Sequence, residues 1–309
     1  MRVLGIDVGS TAAKLAVVNE RYEVESIYTS RICGDSVKCI DEILKKNTEL
    51  KEINMICVTG SSRNLVAQHL GAELSKPEVL AHAYAAIKKN PDIRTIIEIG
   101  GQDSKLIELK NGIISNFKMN SVCAAGTGTF IESQAFRLGL EIREFDNMSN
   151  GSKNKININT KCAIFLESAA INLQRNGAKK EDIIMAIYRA LANNYVSQLC
   201  SNREIEGPVY FQGGVAKLFG MKRAFEEIWD KEIYIPDNCE FMGAIGAGFL
   251  LIDYCFDKNM IDEDEIIQCK KCANRCLVNA VRDGDVYIYS GGLCGNSFRE
   301  NIVGIELRK

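Results

Sequence analysis

Gly5-Ile6-Asp7-Val8-Gly9-Ser10-Thr11-Ala12-Ala13-Lys14 is the stretch on which the reading of this chain turns. Arg2–Asp7 reads as a buried strand, Lys14–Asn19 as its return, and Gly9-Ser10-Thr11 as the tight turn between them. Gly9 lets backbone amides approach an anion closely. Ser10 and Thr11 add hydroxyl donors, and Lys14 adds a positive charge. An aspartate beside such a turn, Asp7, would repel bound phosphates unless a cation sat between them. Mg2+, held through water, meets that need.

The arrangement repeats. Thr95–Ile99 is a second apolar strand and Gly100-Gly101 a second turn, leading to Lys105 and adding Gln102 and Asp103 on the way. Those two can orient an attacking water or hold a metal's hydration shell. A third turn, Gly213-Gly214-Val215, and the small-residue run from Gly243-Ala244 to Gly248 leave room for a flat nucleoside between backbone and helix. The chain has no G-x-x-x-x-G-K-[ST] motif and is not a P-loop protein. Two copies of one strand-turn-strand signature imply two related halves across a cleft.

Outward from these turns, strands and helices alternate as in α/β folds. Met55–Thr59 and Val209–Gln212 read as strands, and Lys105–Leu109 with Ile113–Phe117 as a hairpin turned by Asn111-Gly112. Val79–Lys89, Phe130–Leu138, Cys162–Arg175 and Lys179–Cys200 read as helices, and another runs from Gly243 to about Tyr254. From Asp257 the composition changes to acidic residues and then clustered cysteines, which places a boundary near 256.

Twelve cysteines and two histidines direct any metal chemistry to thiolates. His69 and His82 stand in alanine- and leucine-rich helical sequence and read as ordinary packed or surface residues. Cys123, in Asn120-Ser-Val-Cys-Ala-Ala-Gly126-Thr-Gly128, and Cys162 each precede a helix start. Helix N-termini carry free amides and partial positive charge, which favour a thiolate and an anionic cluster. Gly126 and Gly128 let backbone wrap a bulky group. A [4Fe–4S] cluster normally takes four thiolates, and this core offers two, so a symmetric dimer with a pair from each subunit resolves the count. Two buried apolar cysteines are the plainer alternative. Cys269, Cys272, Cys276 and Cys294 form a second candidate metal site, for zinc or a cluster. The other six cysteines lack ligand spacing and read as packed residues.

A net charge of −2 gives no electrostatic footprint for nucleic acid or an anionic membrane. The N-terminus lacks the pattern of a signal peptide, and the apolar stretch Phe241–Ile252 is too short to span a bilayer. A cytoplasmic location is the expectation.

The order of the glycine turns resembles the superfamily of actin, hexokinase and the heat-shock chaperone ATPases. The runs Asp7–Lys14, Ile99–Lys105, Cys123–Gly128, Cys162–Ser168 and Gly213–Ala216 together resemble the 2-hydroxyacyl-CoA dehydratase activators and benzoyl-CoA reductase ATPase subunits, over about residues 1–252. Glu98 departs from the aspartate common there. The resemblance implies two ribonuclease-H-like α/β domains around a nucleotide cleft, with ATPase subdomains at 1–92 and 93–256. The last helix would pack back on the first subdomain, and 257–309 would be a cysteine-rich extension. It implies ATP/ADP and Mg2+ in the cleft, with Asp7, Gln102 and Asp103 in the hydrolytic roles. It further implies a homodimer in which Cys123 and Cys162 of both subunits bridge one [4Fe–4S] cluster. A ferredoxin or flavodoxin would feed that cluster, and ATP would drive its electron into a partner iron–sulfur enzyme: a 2-hydroxyacyl-CoA dehydratase, a benzoyl-CoA reductase or a double-cubane-cluster protein. A metabolite kinase of the same superfamily and a nucleotide-gated redox regulator are the rival readings.

Overall fold

The structure is a computed structural model that describes residues 1–120, 127–160, 162–200 and 205–256, together with four strands of the tail. Cys123, Gly126, Cys269, Cys272, Cys276 and Cys294 lie outside the described residues.

Each half of the chain opens with three strands in succession. In the first these are β1 (Arg2–Val8), β2 (Ala12–Asn19) and β3 (Val24–Arg31), followed by α1 (Ser36–Lys46), β4 (Ile56–Thr59), α2 (Arg63–Leu70), β5 (Leu74–Ser75) and α3 (Glu78–Lys89). In the second, β6 (Thr95–Ile99), β7 (Ser104–Lys110) and β8 (Ile113–Asn120) come first. Helices α4 (Gly128–Arg137), α5 (Ile142–Ser149), α6 (Ala163–Arg175) and α7 (Lys180–Tyr195) follow. Then come β9 (Val209–Gln212), α8 (Phe219–Trp229), β10 (Ile233–Tyr234) and α9 (Met242–Phe256). The two sheets have one topology: β3-β2-β1-β4-β5 and β8-β7-β6-β9-β10, the first three strands antiparallel and the rest parallel. The repeated glycine signature is thus a repeated fold.

Local chemistry explains the elements. β1 is buried from its second residue onward and, apart from Asp7, apolar there, as suits a strand covered on both faces. Asn111 and Gly112, both at positive φ (55° and 74°), close the β7–β8 hairpin as its sequence requires. Asp35 caps α1 by accepting from the Lys38 N–H at 3.0 Å.

Three expectations are corrected. β2 begins at Ala12 rather than Lys14, because the turn closes early with Gly9 N–H donating to Ala12 O at 3.1 Å. The long helix ends at Tyr195 and passes into a π turn, Val196–Cys200; the wider turn keeps Leu199 and Cys200 inside the core. The helix expected from Cys162 starts at Ala163, with Cys162 as its extended N-cap.

The cleft floor is built by exchange. α3, which follows the first sheet, lays Val79, Ala83 and Ala86 against Ile96, Ile107 and Leu109 of the second. α9, which follows the second sheet, packs with Val3, Ala16 and Val18 of the first. The two helices cross where a Cβ at Gly246 would lie 1.8 Å from Ala81 O. Cys239–Phe256 is apolar and long enough to cross a bilayer by length and composition, but here most of it is the buried core helix.

The tail forms a separate antiparallel sheet of β11 (Glu265–Gln268), β12 (Leu277–Asp283), β13 (Val286–Ser290) and β14 (Phe298–Asn301) in sequence order.

Candidate functional site

A cavity of about 570 Å³ lies between the two sheets. Of the residues expected at a nucleotide site, Thr11, Lys14, Gly100, Gly101, Gln102, Gly128, Gly214 and Val215 line it. The sheet registers explain why. The β1–β2 and β6–β7 turns end equivalent central strands of two like sheets, so folding the halves together brings the turns face to face. They meet closely: a Cβ added at Gly101 would sit 2.2 Å from Thr11 Oγ1.

The first turn of α4 is tied directly to the second glycine turn. Gly128 N–H donates to Gly100 O at 2.9 Å, and Thr129 N–H donates to Gly101 O at 3.0 Å. A Cβ on Gly128 would come within 3.2 Å of Gly100 O, so a residue without a side chain suits this approach.

At the far end of the cavity, α5 and the segment after β9 supply residues that the sequence reading missed. Ile142, Arg143, Asp146 and Asn147 come from α5, Lys217 and Leu218 from the end of the turn Gly214–Lys217, and Glu240 from the short turn Cys239–Phe241 before α9. Asp146 also caps α8, accepting from the Phe219 and Gly220 N–H groups at 2.8 and 3.0 Å and from the Tyr188 hydroxyl at 3.0 Å. Burial, with the Asp146 carboxylate adding to it, pushes the Tyr188 phenol far up, so it stays a neutral donor. α5 is short and follows a tight turn, and no spacing in the sequence marked it as a wall of the site. At the mouth, Arg31 of β3 pairs with Glu132 of α4 at 2.6 Å, both exposed. An exposed pair of this kind contributes about 0–1 kcal/mol and yields easily.

Below the cavity lies a buried charge cluster. Lys105, 1% exposed, places its Nζ 2.8 Å from Glu98, 2.8 Å from Asp103 and 3.2 Å from Glu78 at the start of α3. Burial opposes its charge, but the three carboxylates outweigh burial and hold the ammonium well above its ordinary range. Burial pushes the Glu78 carboxyl up to about 7, reinforced by Asp103, Glu98 and Asp7 and opposed by Lys105. The expected role of Lys105 as a nucleotide ligand is therefore corrected: its side chain is committed to acids beneath the site.

The remaining candidates are placed as follows. Asp7 is buried at 8% exposure and backed by glycines, since a Cβ at Gly60 or Gly243 would lie 2.7 Å from one of its oxygens. Asp103 borders the second turn, where a Cβ at Gly100 would come 3.0 Å from its Oδ1. Gly9 is half-buried and Ser10 exposed in the first turn, neither on the cavity wall. Gly213, at φ +88°, backs Glu98. Gly243 and Ala244, expected beside a nucleoside, instead pack α9 on β1; a Cβ at Gly5 would lie 1.9 Å from Ala244 O. Small residues serve helix–strand approach as readily as ligand approach. His82 is a packed residue, its Nδ1 2.8 Å from Gln212 Oε1, and His69 faces Asp41 at the surface.

The arrangement fits a nucleotide: backbone amides, hydroxyls and Lys14 at one end, and at the other a mixed wall in which Ile142 and Leu218 stand among polar and charged residues. Among the described residues no three metal-ligating side chains stand open to an ion, the Glu78–Glu98–Asp103 trio being filled by Lys105, so Mg2+ would be held through water by Asp7 together with phosphate oxygens. For a cluster, the described half of the donor pair is suitable. Cys162 is half-exposed, unpaired in a disulfide, and makes no side-chain capping bond at the N-terminus of α6.

Comparison with known proteins places these features. The profile of the BadF/BadG/BcrA/BcrD ATPase family matches residues 4–250. The 2-hydroxyisocaproyl-CoA dehydratase activator of Clostridioides difficile is 32% identical over 271 residues, covering 86% of this chain and 99% of its own. The crystal structure of Acidaminococcus fermentans (R)-2-hydroxyglutaryl-CoA dehydratase component A superposes with a TM-score of 0.76 at 30% identity, over 83% of this chain and all of that one. The Clostridium difficile activator with bound ADPNP gives a TM-score of 0.75 at 32% identity, over 84% and 97% of the two chains.

Proposed function

Because the chain belongs to the BadF/BadG/BcrA/BcrD ATPase family, we propose that it is the reductive activator of a partner iron–sulfur enzyme. Its relatives are activators of 2-hydroxyacyl-CoA dehydratases, and the fold and cleft are those of an activating ATPase that binds nucleotide. In this reading two copies hold one [4Fe–4S] cluster through Cys123 and Cys162 of each. The cluster, when bound, supplies a single low-potential electron to an acceptor of the dehydratase or benzoyl-CoA reductase kind. A ferredoxin or flavodoxin refills it.

The protein's own residues do the coupling. Thr11, Lys14 and the amides around Gly101 bind the phosphates, and Asp7 would hold the accompanying Mg2+, which would offset their charge. Gln102 and Asp103 orient the attacking water. The observation that carries the proposal is the pair of hydrogen bonds from Gly128 and Thr129 to Gly100 and Gly101. They make the first turn of α4 an extension of the phosphate-binding turn, five residues after Cys123. A shift of that turn on hydrolysis is thereby passed to the cysteine-bearing segment. One electron crossing 59 mV changes an equilibrium tenfold, so hydrolysis can drive a transfer that is otherwise strongly uphill. The test is transfer itself: the reduced protein should reduce the acceptor with ATP and not with ADPNP. Equal rates without hydrolysis would refute the coupling.

The tail is proposed to bind a metal through Cys269, Cys272, Cys276 and Cys294. In support, Gln268 pairs with Leu277, Ser290 with Asn279, and Tyr289 with Phe298. The two sequence segments that contain these cysteines therefore leave the sheet at the same end.

A further inference from the structure

The register of the two sheets exposes a symmetry with an unequal outcome. Asp7 faces Lys14 across β1 and β2, and Glu98 faces Lys105 across β6 and β7. On the parallel side, Thr59 stands beside Asp7 and Gln212 beside Glu98. Each half thus presents one acid, one lysine and one polar neighbour at the same point of the same sheet. Lys14 reaches the nucleotide cavity. Lys105 is buried and bonded to Glu98, Asp103 and Glu78.

We infer that Lys105 is a built-in counter-ion, a positioning residue that occupies the place where a divalent cation would otherwise bind and so confines the nucleotide's metal to the Asp7 side of the cleft. Three carboxylate oxygens converge within 3.2 Å of one point, a donor set that suits a hard cation. An ammonium has three N–H donors and no acceptor, so it satisfies those three oxygens and leaves no donor for a phosphate. Two of the three acids, Glu98 and Asp103, are restrained on their far sides. A Cβ at Gly213 would lie 2.7 Å from Glu98 Oε1, and one at Gly100 would lie 3.0 Å from Asp103 Oδ1, so backbone stands directly behind both. Through Lys105 the second half keeps Asp103 directed at the second turn, and only the first half is left to take an external ion.

The inference takes from the proposed function only that Mg2+ accompanies the nucleotide at Asp7. Its test counts ions on nucleotide-free full-length protein, with no partner, reductant or turnover. Mn2+ is titrated into wild type, Lys105→Met and Lys105→Arg, and free Mn2+ is measured by EPR. Lys105→Met is expected to bind about one more Mn2+ per chain than wild type, while Lys105→Arg, which keeps the charge, matches wild type. Equal counts for Lys105→Met and wild type would overturn the inference. If Lys105→Met does not fold, the double variant Lys105→Met/Glu78→Gln, with one acid fewer, is read in the same way. Failure here leaves the electron-transfer reading standing, and loss of that reading leaves the ion count intact.

Discussion

Thr11 and Gly101 come from different halves of the chain, yet a methyl group on Gly101 would collide with the Thr11 side chain. The closed cleft thus depends on a residue without Cβ. Gly101→Ala must push the turns apart and should weaken ADPNP binding at least about tenfold, some 1.4 kcal/mol, by calorimetric titration. Its unfolding midpoint should change little, because the turn lies on the cavity wall. Gly246→Ala makes the opposite split. Its Cβ would meet backbone, Ala81 O at 1.8 Å, where neither helix can yield locally. Overpacking of this kind costs about 1–3 kcal/mol or more, seen as a lower urea midpoint. Sequence reading treated Gly100-Gly101 and the Gly243–Gly248 run alike, as places for a ligand. The first lines the cavity, and the second is a helix crossing. Composition is the same for both purposes; what separates them is the element on the other side, which a single sequence does not display.

Elements with strong apolar runs were legible: β1, β6 and β9 were read nearly to the residue, because a strand buried on both faces has no other interpretation. β3 was missed. Its Val-Glu-Ser-Ile-Tyr-Thr-Ser-Arg alternates partly buried and exposed positions at a sheet edge, and its polar residues resemble loop sequence. α5, α8 and the two-residue strands β5 and β10 were missed for brevity or for a mixed pattern. At the start of α7, Asp182 illustrates what tertiary context adds. It accepts from the Asn154 N–H at 3.0 Å and side-chain amide at 2.8 Å, and from the Ser152 hydroxyl and Lys153 N–H, both at 3.0 Å. Those donors, the Asn154 backbone first, hold its carboxyl down to about 2. A folded value below the unfolded one, near 3.9, means stability present above about pH 4 and lost as pH falls toward about 2. Asp182→Asn should cost about 2 kcal/mol near neutrality, and the gap to wild type should close as unfolding is repeated at lower pH. A gap that stays constant with pH would contradict this. For the tail sheet, the expectation is about one thiolate-bound metal per chain beyond the bridging cluster. Elemental analysis should show it lost in Cys272→Ser and in Cys294→Ser alike, since each removes one of four ligands.

At the scale of the whole molecule, the cleft is two copies of one sheet joined by exchanged helices, with α3 on the second sheet and α9 on the first. The glycine turns announced the duplication, but the exchange was only half visible: the return of α9 was expected, the crossing of α3 was not. Of the buried cluster, the sequence singled out Asp103 and passed over Glu78, and it gave Lys105 to the nucleotide because a lysine at the matching position of the first turn does line the cavity. Opening the cleft would break the Arg31–Glu132 tie at the mouth and draw the second turn, with α4 attached, away from Thr11. That movement is what the account asks nucleotide hydrolysis to deliver to the cysteine-bearing helices. Its central claim is the shared cluster that those helices hold. The most direct measurement is iron and acid-labile sulfide per chain, with EPR after dithionite reduction, on anaerobically purified wild type, Cys123→Ala and Cys162→Ala. The account predicts about two irons per chain in wild type, half of a shared four-iron cluster, and loss of the reduced signal in both variants. Colourless wild-type protein, or a Cys162→Ala variant that keeps its full iron and signal, would contradict it.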